Sequence, residues 1–160
     1  MNTIQTITVK SPIGVLRIEE TGGVISSVGI HKENAPIVSC TSSSVLNHCV
    51  DELRAYFDGK LKRFTVPVIF LGTEFQQRVW KALQEIPYGQ TQSYKELAEL
   101  IGAPKAYRAV GNAANKNPIL IIVPCHRLIG SDGSLTGFAC GIEAKRFLLE
   151  MEKDLQQALR

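Results

Sequence analysis

The sequence predicts an α/β protein of the α+β kind, with a small amino-terminal antiparallel sheet and helix followed by a mostly helical carboxy-terminal half containing a helix-turn-helix. Three observations predict it. Residues 3 to 30 alternate apolar and polar positions between turn signals, residues 45 to 57 change to helical spacing, and from residue 73 two capping boxes each introduce an apolar helical face. A chain of 160 residues with 44% hydrophobic content can build a real core.

The strands come first. Ile7 and Val9, then Val15, Leu16 and Ile18, then Val24, Ile25, Val28 and Ile30 form three runs separated by "SPIG" and "ETGG", compositions that make tight turns. Val45, Cys49, Val50, Leu53, Tyr56 and Phe57 then recur at helical spacing until "DGK" ends the pattern. The extended "FTVPVIF" carries a proline that argues against a central strand, so it is read as the connection between two halves. This places an amino-terminal domain at 1–70 and a second domain at 71–160.

In the second half, Thr73 and Gln76 have capping-box spacing ahead of a face of Phe75, Val79, Trp80 and Leu83. After the turn "IPYGQ", Ser93 and Glu96 repeat the device ahead of Leu97, Leu100 and Ile101, with Gly102 as the stop. "APKAYRAVGNAANKN" is expected to start its helix near the proline and to pack through small residues, leaving Tyr107, Arg108, Asn112, Asn115 and Lys116 available to a partner. Two short helices joined by a glycine-containing turn suggest a helix-turn-helix, although most helical hairpins bind nothing. "ILIIVPCHRLIG" reads as an apolar strand closed by a proline, and the last helix carries a stripe of Ala144, Phe147, Leu148, Met151, Leu155 and Leu159.

No run approaches the eighteen or so apolar residues of a membrane span, and the first ten residues lack a basic region followed by an apolar stretch, which points to a cytoplasmic protein. Four cysteines at 40, 49, 125 and 140, with no C-x-x-C pair, are expected to be free thiols. The net charge of +3 permits a nucleic-acid partner without arguing for one.

Cys125 stands beside His126 and Arg127. A thiolate is the reactive form of cysteine, and a neighbouring base or cation is the usual means of obtaining it. Adjacent residues of an extended chain face opposite ways, so a water or a turn would have to link the two side chains. A cysteine beside an apolar run is also a common inert core residue, the reading given to Cys40, Cys49 and Cys140. Glu152 flanks the stripe of the last helix more closely than Glu143 or Glu150 and could orient His126, or be a solvated flank of a core helix.

The ordered stretches "GTEFQQRVWKAL", "IPYGQTQSYKELA", "RAVGNAANKNP", "IIVPCHRLIG" and "GSLTGFACGIEAKRFLLEME" resemble the O6-alkylguanine-DNA alkyltransferases, the methylated-DNA to protein-cysteine methyltransferases, from about residue 50 to 152. The resemblance implies single-use, direct-reversal DNA repair in which Cys125 takes an alkyl group from O6 of guanine, and O4 of thymine, as a thioether. It implies that His126 takes the thiol proton through a water, that Glu152 fixes the imidazole, and that Tyr94 helps turn the nucleotide and protonates the departing base. Arg108 matches an arginine finger that fills the stack vacated by base flipping, and Asn117 a hinge before the active-site segment. Ala106, Tyr107, Asn112, Lys116 and Arg127 are the further expected contacts to the minor groove of double-stranded DNA, and Phe138, Ala139, Cys140 and Lys145 the substrate pocket. In "GFACG", Cys140 departs from the glycine that members often carry, which implies poorer acceptance of bulky alkyl groups. No cofactor and no metal are implied, since His31, Cys40, His48 and Cys49 do not match a zinc set, and a monomer is the family default. The intact "PCHR" argues against a non-catalytic lesion sensor. Cys, His and Glu would equally serve a turnover cysteine hydrolase, and the two helices a transcriptional regulator.

Overall fold

The computed structural model describes residues 3–135, 137–138 and 140–158, with side chains as far as Leu155. The chain divides into two compact units, 1–70 and 71–160. In the first, β1 (Ile4–Ser11), β2 (Gly14–Thr21) and β3 (Val24–Ile30) form an antiparallel meander in that order. Ile7 faces Ile18 and Val9 faces Leu16 across the first ladder, and Ile18 faces Val28 across the second. The alternation therefore puts one face of the sheet into the core, where each fully buried aliphatic side chain contributes roughly 1.5–3 kcal/mol. α1 (Ser44–Phe57) covers that face with Leu46, Cys49, Val50, Leu53 and Tyr56, and Ser43 caps it by accepting from the Leu46 amide.

The segment expected as a connection does more than connect. Ile25 N donates to Pro67 O at 2.8 Å and Ile69 N to Ile25 O at 2.9 Å, a single parallel bridge at the edge of β3. Pro67 takes part through its carbonyl, so the missing N–H is no loss there. Glu52, buried on α1, accepts from the Thr65 and Val66 amides and fixes the start of this segment. Of the cysteines read as inert core residues, Cys49 is buried, Cys40 is exposed and Cys140 is half-buried.

The second unit contains α2 (Glu74–Gln84), β4 (Gln92–Ser93), α3 (Tyr94–Leu100), α4 (Tyr107–Asn115), a 3₁₀ turn (Cys125–Arg127), β5 (Leu128–Ile129) and α5 (Ile142–Ala158). Both capping boxes form, Thr73 with Gln76 and Ser93 with Glu96. Trp80 Nε1 donates to Ala113 O at 2.9 Å, pinning α2 to the small-residue face of α4. The chain passes Trp80 so closely at Gly72 that a Cβ there would lie 2.6 Å from the indole. β4 pairs in parallel with β5 and joins the segment before Tyr94 to the one after Arg127.

Four expectations change. α4 starts at Tyr107, while Pro104 and Lys105 belong to the preceding turn, because the residue before a proline avoids the helical region and the helix then begins only after the turn completes. On α3, Ala98 is buried with Leu97 and Leu100 is exposed. The run 119–123 is a chain reversal and not a strand, since an apolar run reports burial without reporting direction. The buried face of α5 passes through Lys145, Leu148 and Glu152, with Phe147 exposed; two buried charges had displaced the apparent stripe. Leu159 lies outside the described residues. Among the described residues, no helix is long and apolar enough to cross a membrane, and no group of three or more His, Cys, Asp or Glu side chains is placed to hold a metal ion.

Candidate active site

Cys125 sits at the start of the 3₁₀ turn and is 5% exposed. The reversal that precedes it is held by local bonds: Val123 N to Ile119 O at 3.0 Å, Ile122 N to Leu120 O at 2.7 Å, and Cys125 N to Val123 O at 2.8 Å. Asn117 secures both ends of the loop. Its Nδ2 donates to Val123 O at 2.8 Å and to Cys125 Sγ at 3.2 Å, and its Oδ1 accepts from Ile119 N at 2.9 Å. The asparagine just beyond α4 thus touches the thiol itself.

The 3₁₀ turn directs His126 and Arg127 inward to Glu152. His126 Nε2 lies 2.6 Å from Glu152 Oε2, Arg127 Nε donates to Oε1 at 2.8 Å and Nη2 to Oε2 at 3.1 Å, and Gly89 N donates to Oε1 at 3.2 Å. Arg127 Nη1 donates to Ile86 O at 2.7 Å, and its guanidinium lies over the Tyr88 ring. Burial opposes ionisation of Glu152, but the hydrogen bonds and charges of His126 and Arg127 outweigh it and hold the carboxyl well below the usual carboxylate range. An ionised Glu152 can only accept, so Nε2 of His126 carries the hydrogen and Nδ1 the lone pair. Nδ1 is buried without a hydrogen bond to another protein atom. Burial also lowers the histidine's proton affinity, against the raising effect of Glu152. Burial thus favours the neutral imidazole, with the lone pair on Nδ1.

The thiol is neutral too. Burial pushes the Cys125 thiol up to about 11, despite the opposing hydrogen bond from Asn117 and the charge of Lys145. Lys145 is fully buried on α5, donates from Nζ to Leu128 O, and lies 5.9 Å from the Tyr94 ring centre. Desolvation lowers its own proton affinity, and Cys125 works against that shift. On the strand-turn side, Tyr94 opens α3, packs its ring 3.5 Å from where a Cβ of Gly111 would stand, and has its hydroxyl 3.9 Å from the corresponding point at Gly137. Phe138 is buried and Cys140 is half-buried in the following turn, where the field of Cys125 reinforces a burial effect that pushes the Cys140 thiol up to about 12.

An open cleft of about 480 Å³ lies against α4, lined by Tyr94, Tyr107, Arg108, Gly111, Asn112, Asn115 and Gly137. Arg108, Asn112 and Lys116 are exposed, and Tyr107 has Lys95 Nζ 5.6 Å and the Arg108 guanidinium 5.9 Å from its ring centre. Ala106 is the cap residue of α4 and provides no side-chain bond to its first turn. The structure thus buries two bonded groups side by side in the chain, Asn117 on Cys125 and Glu152 on His126, with Tyr94 and Lys145 adjoining each other. Arg127 departs from its expected place among the DNA contacts: it is buried and bonded to Glu152 and Ile86, so it supports the network and is not presented to DNA. Ala139 lies outside the described residues. Sequence reasoning missed Ile86, Tyr88 and Gly89 as supports, because "IPYGQ" reads only as a turn; the sole signal was an aromatic residue inside it.

The fold and this site define a two-unit α/β protein whose helical second unit holds a buried cysteine, histidine and glutamate. Residues 4–70 match the ribonuclease-like domain, and residues 74–154 the DNA binding domain, of 6-O-methylguanine DNA methyltransferase. A methylated-DNA–protein-cysteine methyltransferase of Mycobacterium bovis is 50% identical over 149 residues, covering 91% of this chain and 90% of that protein. Its counterpart from Methanosarcina barkeri is 60% identical over 103 residues, covering 64% of this chain and 65% of its own length. The crystal structure of Mycobacterium tuberculosis OGT in complex with DNA superposes with a TM-score of 0.86 at 48% identity, over 94% of this chain and 93% of that one. The chain belongs to the 6-O-methylguanine DNA methyltransferase family.

Proposed function

We propose that this protein repairs DNA by direct reversal, taking a methyl or other small alkyl group from O6 of guanine, and from O4 of thymine, onto Cys125. The sulfur attacks the alkyl carbon, the S–C bond forms as the C–O bond breaks, and the thioether is kept, so each molecule acts once. The thiol proton goes to Nδ1 of His126 through a bridging water, while Glu152 holds the other ring nitrogen. Tyr94 supplies a proton to the departing base, which then leaves as a neutral molecule. The acceptor is the protein's own sulfur and the donor is the substrate, so the chemistry calls for no cofactor or metal.

The observation that carries this reading is the bond from Asn117 Nδ2 to a buried Cys125 Sγ, set beside a histidine whose tautomer a carboxylate dictates. DNA is the proposed partner in its damaged, double-stranded form, bound through the minor groove. α4 faces it with Arg108, Tyr107, Asn112 and Lys116, and the first turn of that helix, uncapped at Ala106, offers amides to phosphate. A buried thiol cannot reach O6 in a stacked base, so the nucleotide is flipped into the cleft beside Tyr94, Arg108 replacing it in the stack, at a cost of a few kcal/mol. The second unit is thus the DNA-binding and acceptor domain, working as a monomer in the cytoplasm.

The test is intact-protein mass spectrometry with peptide mapping after incubation with duplex DNA containing one O6-methylguanine, alongside Cys125→Ser. A gain of one methyl group on Cys125, stopping there and absent from the variant, is expected. Binding without a mass gain would identify a lesion sensor instead, and repeated hydrolysis of an ester a cysteine hydrolase.

A further inference from the structure

We infer that Ile121, the one described non-glycine residue held at positive φ, is a positioning residue that keeps Cys125 Sγ against Asn117 in the reactive arrangement. The inference rests on Cys125 being the acceptor. Residues eight apart in an extended chain are separated by roughly 26 Å, yet Asn117 Nδ2 and Cys125 Sγ are 3.2 Å apart. The intervening segment must turn back sharply. It does so at Ile121, whose φ of 71° centres a turn closed by Ile122 N donating to Leu120 O at 2.7 Å. A second tight turn, closed by Cys125 N donating to Val123 O, is centred on Pro124 with φ −81° and ψ 63°. The first of these is the rare and strained three-residue turn and the second its relaxed mirror image.

A β-branched residue is a poor choice for positive φ, and glycine adopts it without penalty. The reason for isoleucine lies in its side chain, which is 1% exposed. With the side chain fixed in the core, the backbone has no freedom to flip, and a negative φ would turn the side chain out of its packing. Burial here secures a backbone geometry that glycine would allow but would not hold. Leu120 and Val123, bridged to each other, and Asn117, bound to both ends of the loop, complete the constraint. Strain of this kind persists only where its surroundings over-determine it.

Ile121→Ala and Ile121→Gly separate positioning from packing, because both delete nearly the same buried group and differ mainly in backbone freedom. Two rates are read in each variant: single-turnover methyl transfer from O6-methylguanine DNA, and alkylation of Cys125 by iodoacetamide followed by mass spectrometry. The glycine variant is expected to be at least as heat-stable as the alanine variant, since positive φ favours it, yet roughly fivefold slower in methyl transfer and faster with iodoacetamide, whose access to the buried thiol a looser turn improves. Ile121→Val, which keeps the branch, is expected to retain the wild-type rates. Equal rates for alanine and glycine, or rates that simply follow melting temperature, would overturn the inference. Should the small variants not fold, hydrogen exchange on the wild-type protein decides: Ile122 and Cys125 amides protected as one cooperative unit support a locked turn, and independent fast exchange refutes it. Failure of the wild-type protein to methylate Cys125 would fault the proposed function, while the iodoacetamide rates would still report on positioning.

Discussion

Glu152→Gln should be the most damaging isosteric change in the second unit. The carboxylate receives His126, two guanidinium nitrogens of Arg127 and the amide of Gly89 within 3.2 Å. A carboxamide has one acceptor oxygen and each carboxylate oxygen takes two of these donors, so two of them lose their partner, and Arg127 becomes a buried charge with no counter-charge in this network. Breaking a buried ion pair by removing one partner costs about 3–5 kcal/mol. Arg127 keeps Ile86 O and the Tyr88 ring, which places the expected loss near the lower end of that range. For a domain of this size that corresponds to a fall in Tm of roughly 12 °C or more. Transfer should slow on the order of 100-fold, because the imidazole loses both orientation and tautomer control. Acid dependence supplies a sharper check. The folded-state proton affinity of Glu152 is depressed, so its contribution is complete above the unfolded-state value of about 4.3 and is lost as the pH falls further. The stability gap between wild type and Glu152→Gln, measured by urea unfolding, should therefore be constant between neutrality and about pH 5 and should close below it. A variant with wild-type Tm and single-turnover rate, or a gap that widens in acid, would refute the role given to this carboxylate.

Asn117→Ala should cost about 1–3 kcal/mol by stranding the buried Ile119 amide, while the Val123 carbonyl keeps the Cys125 amide, and should slow transfer; urea unfolding and single-turnover kinetics read the two effects. Arg108→Ala and Lys116→Ala, both exposed, should leave stability within about 0.5 kcal/mol. Arg108→Ala should weaken lesion binding and transfer, whereas Lys116→Ala should lower the salt dependence of DNA affinity by about one phosphate contact, measured by fluorescence anisotropy across salt concentrations. Methyl should be removed much faster than benzyl, and Cys140→Gly should narrow that ratio by opening the turn after Phe138, as competition between the two modified bases in quenched-flow assays would show.

The parts of this molecule legible in its sequence are those governed by local rules. The three strands follow from alternation and two turn signals, and α2 and α3 from capping boxes that form as spaced, whereas 64–70 read as a connection and its bridge to β3 was not foreseen. What the sequence concealed lies where polar residues are buried or where direction is set by distant bonds. The apolar stripe left Lys145 out and Glu152 at its flank, yet they and Leu148 define the inner face of α5. Arg127 was expected as a DNA contact from the resemblance alone, and only the position of Glu152 shows it occupied. The reversal at 119–123 was hidden by its apolar composition, which fits a strand equally well. Resemblance named Cys125, His126, Glu152 and Asn117 together, whereas spacing alone left the thiol's inertness open.

The neutral thiol also bears on the state of the protein once the alkyl group has been transferred. A sulfur pushed up to about 11 by burial is protected from solution oxidants and electrophiles, whose reactions require thiolate. That suits the proposed role of an acceptor used once, since any adventitious modification would destroy it. The same burial leaves little room for a product. Transfer adds a methyl group to a sulfur that is 5% exposed and already 3.2 Å from Asn117 Nδ2, and it converts an S–H group into a thioether. Inserting a methylene-sized group into a packed site costs about 1–3 kcal/mol. The displacement falls on Asn117, which also ties Val123 and Ile119, so it reaches the end of α4. The methylated protein should therefore melt roughly 4–8 °C lower for each kcal/mol lost, with increased amide exchange at Ile119 and along α4. Scanning calorimetry of the fully methylated protein against Cys125→Ala exposed to the same DNA decides the matter. An unchanged Tm would mean that the cleft beside Tyr94 absorbs the methyl group without moving Asn117, and that the loop is less rigid than its hydrogen bonds imply.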